Sequence, residues 1–109
     1  MAYYEGIIIV PPNTPEHTPA EIVVRPLQGL IKNVSVLFPA GALGLVKIRI
    51  MEDNRQFAPA NSGWISDNNK EVNFQANRQM QGPPYRVVIQ GYSNASDWLH
   101  TITVRMEIV

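Results

Sequence analysis

From Ile102 to Ile108 the chain alternates without a fault. Ile102, Val104, Met106 and Ile108 are apolar, and Thr103, Arg105 and Glu107 between them are polar. Successive side chains of a strand point to opposite faces. A period of two over this length therefore specifies a strand with one face in a core and one in water. The pattern runs to the last residues, which places them inside a sheet of the chain's own.

The same grammar recurs upstream. Residues 3–10 are rich in β-branched side chains and stop at Pro11 and Pro12, because proline has no N–H to give a ladder. Residues 21–25 read as a short strand stopped by Pro26. Residues 29–38 read as a long one, with Lys32, Val34, Val36 and Phe38 on one face and Ile31, Asn33, Ser35 and Leu37 on the other. After a turn over residues 39–44, residues 45–51 return with Val46, Ile48 and Ile50 inward. Residues 55–58 read as a short strand. Residues 64–66 and 71–74 read as the arms of a hairpin around Asp67-Asn68-Asn69, since Asn and Asp tolerate the positive φ of such turns. Residues 75–84 read as a polar connection with enough helix propensity for one turn, and residues 85–92 as a strand. About eight short strands at roughly 8–12-residue spacing, with no long helical pattern, specify an all-β fold. The expected architecture is an antiparallel two-sheet sandwich of about eight strands. The long connections over 11–20 and 75–84 suit a jelly-roll or Greek-key path between the sheets.

The 109 residues suffice for one domain. Within it, residues 1–20 read as an N-terminal strand and proline-rich arm, and residues 21–109 as the β-sandwich. Charged residues make up 17% of the chain, against about a quarter in an average protein. So sparse a charge leaves the surface less defended against association. Net charge is zero, which argues against broad attraction to nucleic acid or anionic lipid. Cysteine is absent, which excludes disulfides and thiolate metal sites. The first residues carry no basic segment, and Ile7-Ile8-Ile9-Val10 is cut short by two prolines, unlike a signal peptide. No stretch approaches the roughly 18 apolar residues of a membrane helix. The expected location is the cytoplasm of the producing cell, or a virion assembled there.

No arrangement of reactive groups stands out. His17 lies in the proline-rich loop. His100 shares its parity with Ile102, as a core or rim histidine packed on Trp98 would. None of the serines sits in a Gly-x-Ser-x-Gly turn. Glu52, Asp53, Asp67, Glu71 and Asp97 all fall in or beside turns, where carboxylates serve as turn formers. Asp67-Asn68-Asn69-Lys70-Glu71 has oxygen side chains at alternate positions, as calcium loops do, but lacks the glycine and the closing glutamate of an EF-hand. The expectation is no catalytic residue, no metal ligand and no cofactor. The candidates for an interface are Ile31, Leu37 and Leu99, apolar residues on strand faces nominally turned to solvent, and Tyr3, Tyr4, Ile7 and Ile9, the apolar residues of the 1–20 arm. The 1–20 arm is the segment expected to reach a neighbouring subunit. A rival reading makes Trp64, Tyr92 and Trp98 a stacking platform for a glycan, in the manner of a carbohydrate-binding module.

Four stretches carry a resemblance. They are Gly29-Leu-Ile-Lys-Asn-Val-Ser-Val-Leu-Phe-Pro-Ala-Gly41, Leu45-Val-Lys-Ile-Arg-Ile50, Gln56-Phe-Ala-Pro-Ala-Asn-Ser-Gly-Trp64 and His100-Thr-Ile-Thr-Val104. In its rhythm of strands and turns the chain resembles small jelly-roll accessory and capsid-decoration proteins of tailed-phage virions. That resemblance implies a non-enzymatic subunit. It would associate with copies of itself and with other structural subunits, and bind neither nucleic acid nor membrane.

Overall fold

The structure, a computed structural model, describes residues 2–42, 44–53, 55–59, 63–96 and 98–109. Its strands are β1 (Ala2–Val10), β2 (Ala20–Val24), β3 (Leu30–Phe38), β4 (Val46–Glu52), β5 (Arg55–Ala58), β6 (Lys70–Gln79), β7 (Val87–Ser93) and β8 (His100–Ile108). All paired neighbours are antiparallel. One sheet has the order β1-β8-β3-β6 and the other β2-β7-β4-β5. First strand thus pairs with last, second with seventh, third with sixth, and fourth with fifth. The chain is one long hairpin rolled over itself, which is the jelly-roll path.

The alternation in β8 holds to the residue. Ile102, Val104, Met106 and Ile108 are fully buried and share one core with Ile48, Ile50 and Ile89 of the second sheet. Each such burial contributes about 1.5–3 kcal/mol. The two sheets meet closely where β1 passes β2. A Cβ at Gly6 would lie 2.9 Å from Ile89 Cδ1 and 3.0 Å from Ile22 Cδ1, so a larger residue there must push these side-chain ends aside.

Four sequence expectations change. Ile31 is not an interface residue, because β3 is bulged. Ile31 pairs with Ile108 and Asn33 with Glu107, leaving Lys32 as an extra residue against β8. On the other flank Ala76 and Asn77 together face Lys32, with Asn77 in the left-handed region at φ 45°. The extra residue reverses the parity, so Lys32 and Asn33 are both exposed and Ile31 is fully buried. The helical turn expected after residue 75 is strand: the ladder from β3 to β6 overrides local propensity through Gln79. Residues 64–66 do not pair with 71–74; Ile65 instead bridges Ile48 of β4, with N–H to O distances of 2.9 and 2.7 Å. Finally, the segment read as an arm is no free arm over its described residues 2–20. β1 pairs with β8 along all nine of its residues. The loop behind it is tied down by Asn13 N donating to Ala95 O (2.8 Å) and Ser93 N donating to Thr14 O (3.1 Å). The boundary at residue 20 therefore does not divide the sandwich.

Candidate functional site

Three surfaces gather the residues of interest. The first is the outer face of the sheet that begins with β1. Ile7 and Ile9 are each 55% exposed and lie opposite Thr103 and Thr101 of β8. Thr103 also pairs with Leu37 of β3, so Ile7, Thr103 and Leu37 form an uncharged row across three strands. Leu99, 58% exposed, precedes β8 with the parity of Thr101 and extends that row's end of the sheet. Charges flank the row: Glu71 of β6 pairs with Leu37, and toward the other end Arg105 lies 3.5 Å from Glu5 and the exposed Tyr3 hydroxyl reaches Glu107 at 3.4 Å. Tyr4 belongs to neither end. It turns inward against the core, and its hydroxyl donates to Gln28 Oε1 (2.6 Å) and accepts from Leu27 N (3.0 Å). It clamps the β2–β3 connection and is withdrawn from the interface set.

The second surface is the outer face of the other sheet. Cross-strand neighbours Glu21, Gln90 and Arg49 are joined in series, Gln90 Nε2 donating to Glu21 (2.7 Å) and Arg49 Nε donating to Gln90 Oε1 (2.7 Å). The Arg49 guanidinium lies 4.4 Å over the Trp64 ring. Tyr92 meets Trp64 edge-on, with centroids 4.7 Å apart and planes at 84°. Trp64 Nε1 donates to Glu16 of the proline-rich loop (2.9 Å). Burial first, and the nearby Glu16 carboxylate second, push the Tyr92 phenol up from its ordinary value. Trp64 and Tyr92 thus come together as expected, but perpendicular to each other, and with a guanidinium over the Trp64 face. A sugar stacks on an open, flat aromatic face, and the guanidinium already occupies one face of Trp64. Trp98 joins neither ring and is 73% exposed.

The third surface was not legible in the sequence. Where β5 and β6 end their sheets, the sandwich stays open. A cleft of about 410 Å³ there is lined by Phe57, Ile65, Val72, Phe74 and Ala76. At its far end one charge pair ties the sheets together. Glu52, the last residue of β4, is buried; its Oε1 accepts from Arg78 Nε (3.0 Å) and Nη2 (2.8 Å), and its Oε2 accepts from Gln81 N (2.6 Å). Sequence reading assigned Glu52 to a turn; its burial follows from the way β6 continues to Arg78.

The remaining polar candidates take structural places. His100 is buried beside the turn after β3, its Nε2 3.3 Å from Gly41 O, and Nδ1 has no partner among the described residues. Trp98 is too exposed to pack on it as expected. His17 is exposed. Asp67 accepts from Asn68 N (2.8 Å) and Asn68 Oδ1 accepts from Gly41 N (3.1 Å), so these oxygens join two turns to each other. Asp97 lies outside the described residues.

No family model matches the chain, nor does any curated protein sequence. Solved structures to which the chain is similar include the Yersinia pseudotuberculosis-derived mitogen, at 9% identity over 99% of this chain and 85% of that one, with a TM-score of 0.46. The structure of tomato aspermy virus gives 14% identity, 95% and 75% coverage and a TM-score of 0.45. FLHE gives 6% identity, 97% and 96% coverage and a TM-score of 0.47. Likeness at this level says nothing of function.

Proposed function

We propose that this chain is a non-enzymatic structural subunit that works by associating with other protein subunits, in the manner of virion accessory and capsid-decoration proteins. The observation that carries the reading is the uncharged strip on β1, β8 and β3, where Ile7, Ile9 and Leu37 stand with Thr101 and Thr103 on one sheet face and the exposed Leu99 precedes β8. A sheet face of this kind buries well against a second one, and burial of apolar area drives such contacts. The partners in this reading are further copies of the chain and other structural subunits. It needs no cofactor, nucleic acid or membrane, and it places the protein in a virion or in the cytoplasm that produces one.

Light scattering coupled to size exclusion tests the reading. The wild type should run as a trimer or larger assembly and persist in about 1 M salt, because salt screens charges and leaves apolar burial intact. Ile7→Lys/Ile9→Lys should lower the order of that assembly. A wild type that is monomeric at all concentrations refutes self-association, and one that dissociates in salt refutes the apolar face. A monomer that bound glycans would restore the carbohydrate-binding reading.

A further inference from the structure

β6 is an edge strand whose protection, Lys70 and Glu71 at one end and a bulge at Ala76 and Asn77 toward the other, leaves its middle open. Natural edges are kept from pairing by short length, lysines, prolines or bulges. β6 is ten residues long, and from Val72 to Asn77 it carries no charge and no proline. Its one bulge lies at Ala76 and Asn77, so the stretch from Lys70 to Gln75 stays regular. Among the described residues no strand pairs with its free side. Its inward residues, Val72, Phe74 and Ala76, are only partly buried, because β5 opposite spans just four residues.

We infer that β6 pairs antiparallel with β6 of a second copy, joining the two sheets edge to edge about a two-fold axis. The sequence is complementary to itself in one register, centred on Asn73. There Asn73 faces Asn73, Val72 faces Phe74, and Glu71 faces Gln75 on the outer side. The Ser35 hydroxyl already donates to Asn73 Oδ1, which leaves the Asn73 amide hydrogens for the partner. Registers that shift the centre to Phe74 set Val72 and Glu71 opposite Ala76 and Asn77 and so carry the pairing into the bulge. With the centre on Asn73, Val72 and Phe74 of each copy close the other's open cleft. A two-fold contact at this edge and a separate contact on the β1 face give each subunit two interfaces, as an extended lattice requires. The pairing stands on β6 alone and not on the β1 face.

Sedimentation of Ile7→Lys/Ile9→Lys, which removes the β1 face, isolates the edge contact. This protein should be a dimer, and amide exchange of residues 71–75 should slow as concentration rises. Adding Gln75→Glu sets a second carboxylate against the Glu71 carboxylate of the other copy, twice per dimer, and should weaken the dimer about tenfold. Adding Gln75→Lys instead sets opposite charges together and should leave it at least as tight. Residue 75 is exposed, so both variants should fold, and circular dichroism checks that they do. A monomer in the Ile7→Lys/Ile9→Lys protein, with a wild type that still assembles, overturns the pairing and leaves the β1 face standing. A dimer indifferent to the sign of the charge at 75, or without protection of 71–75, overturns it too.

Discussion

Arg78→Met should be among the most damaging substitutions outside the apolar core. Arg78 supplies both hydrogen bonds to Glu52 Oε1, and the Glu52 side chain is only 6% exposed. Removing one partner of a buried pair leaves the other charge uncompensated, at about 3–5 kcal/mol. The Arg78 side chain is 30% exposed, so water can enter when it is cut back, and Gln81 N still donates to Oε2. Both soften the loss, which puts the expected cost near the lower bound, about 3 kcal/mol. The contact of the guanidinium with Phe57, at 5.5 Å, is a smaller part of it. At about 4 °C per kcal/mol for a domain of this size, the melting temperature should fall by about 12 °C. Glu52→Gln/Arg78→Met removes both charges and keeps an amide oxygen for Gln81 N. It should recover at least about 1 kcal/mol of the loss. Differential scanning calorimetry on wild type, both single variants and the double variant closes the cycle. An Arg78→Met protein melting within about 3 °C of wild type, or a double variant no better than Arg78→Met, would refute the claim that this pair holds the open edge together.

Val104→Asp should abolish folding while Arg105→Asp costs about 1 kcal/mol or less, since Val104 is fully buried and the Arg105–Glu5 pair is exposed; equal melting temperatures would mean that the β8 faces are assigned the wrong way round. Gly6→Ala should cost about 1–3 kcal/mol by forcing its methyl against Ile89 and Ile22, and a neutral denaturant midpoint would show that the sheets can part there. Ionisation of Tyr92, followed by ring NMR shifts, should have its midpoint above 10.0 and move down, though not fully, in Glu16→Gln. The folded protein then holds the phenol proton above pH 10.0 where the unfolded chain releases it, so stability should decline as pH rises from there toward the folded midpoint. Stability that instead increased over that range would contradict the sign.

Strand identity was legible wherever one face is dry and the other wet. In β8 and β4 the alternation alone places Ile102 and Ile48 in the core, whereas the unbroken run Ile7-Ile8-Ile9-Val10 of β1 shows no faces until its ladder with β8 buries Ile8 and leaves Ile7 and Ile9 out. Alternation failed where pairing, which a sequence does not display, decides the outcome. The parity of residues 29–38 is regular on paper, but Lys32 is bulged out against β8, and Ile31 changes sides with it. Residues 75–79 have polar, helix-tolerant side chains, and only the ladder from β3 makes them strand. The candidate surfaces divide the same way. Leu99 is readable as an apolar side chain out of phase with the core, while Ile7 and Ile9 are readable only as part of an apolar run with no visible faces. Glu52 is not readable, because its partner Arg78 is 26 positions away in a segment read as loop. Tyr4 and Ile31 show that an apolar residue of unclear face is as readily a clamp or a core residue as a contact.

The pairing of β1 with β8 also sets a timetable for synthesis. Ile8 finds its ladder partner only in Ile102, so the first strand made must wait for the last. At about 5–20 residues per second, β1 spends several seconds at the ribosome with no partner in existence. During that wait Ile7-Ile8-Ile9-Val10 is a bare apolar strand, of the kind that chaperones and other nascent chains capture. No stable intermediate on the ribosome can contain the complete first sheet until β8 emerges, because β8 stands second in it and is the last of the eight strands to be made. Emergence of β8 is therefore the step that lets the first sheet close. The protein's yield in a cell should follow how well β1 is sheltered until then.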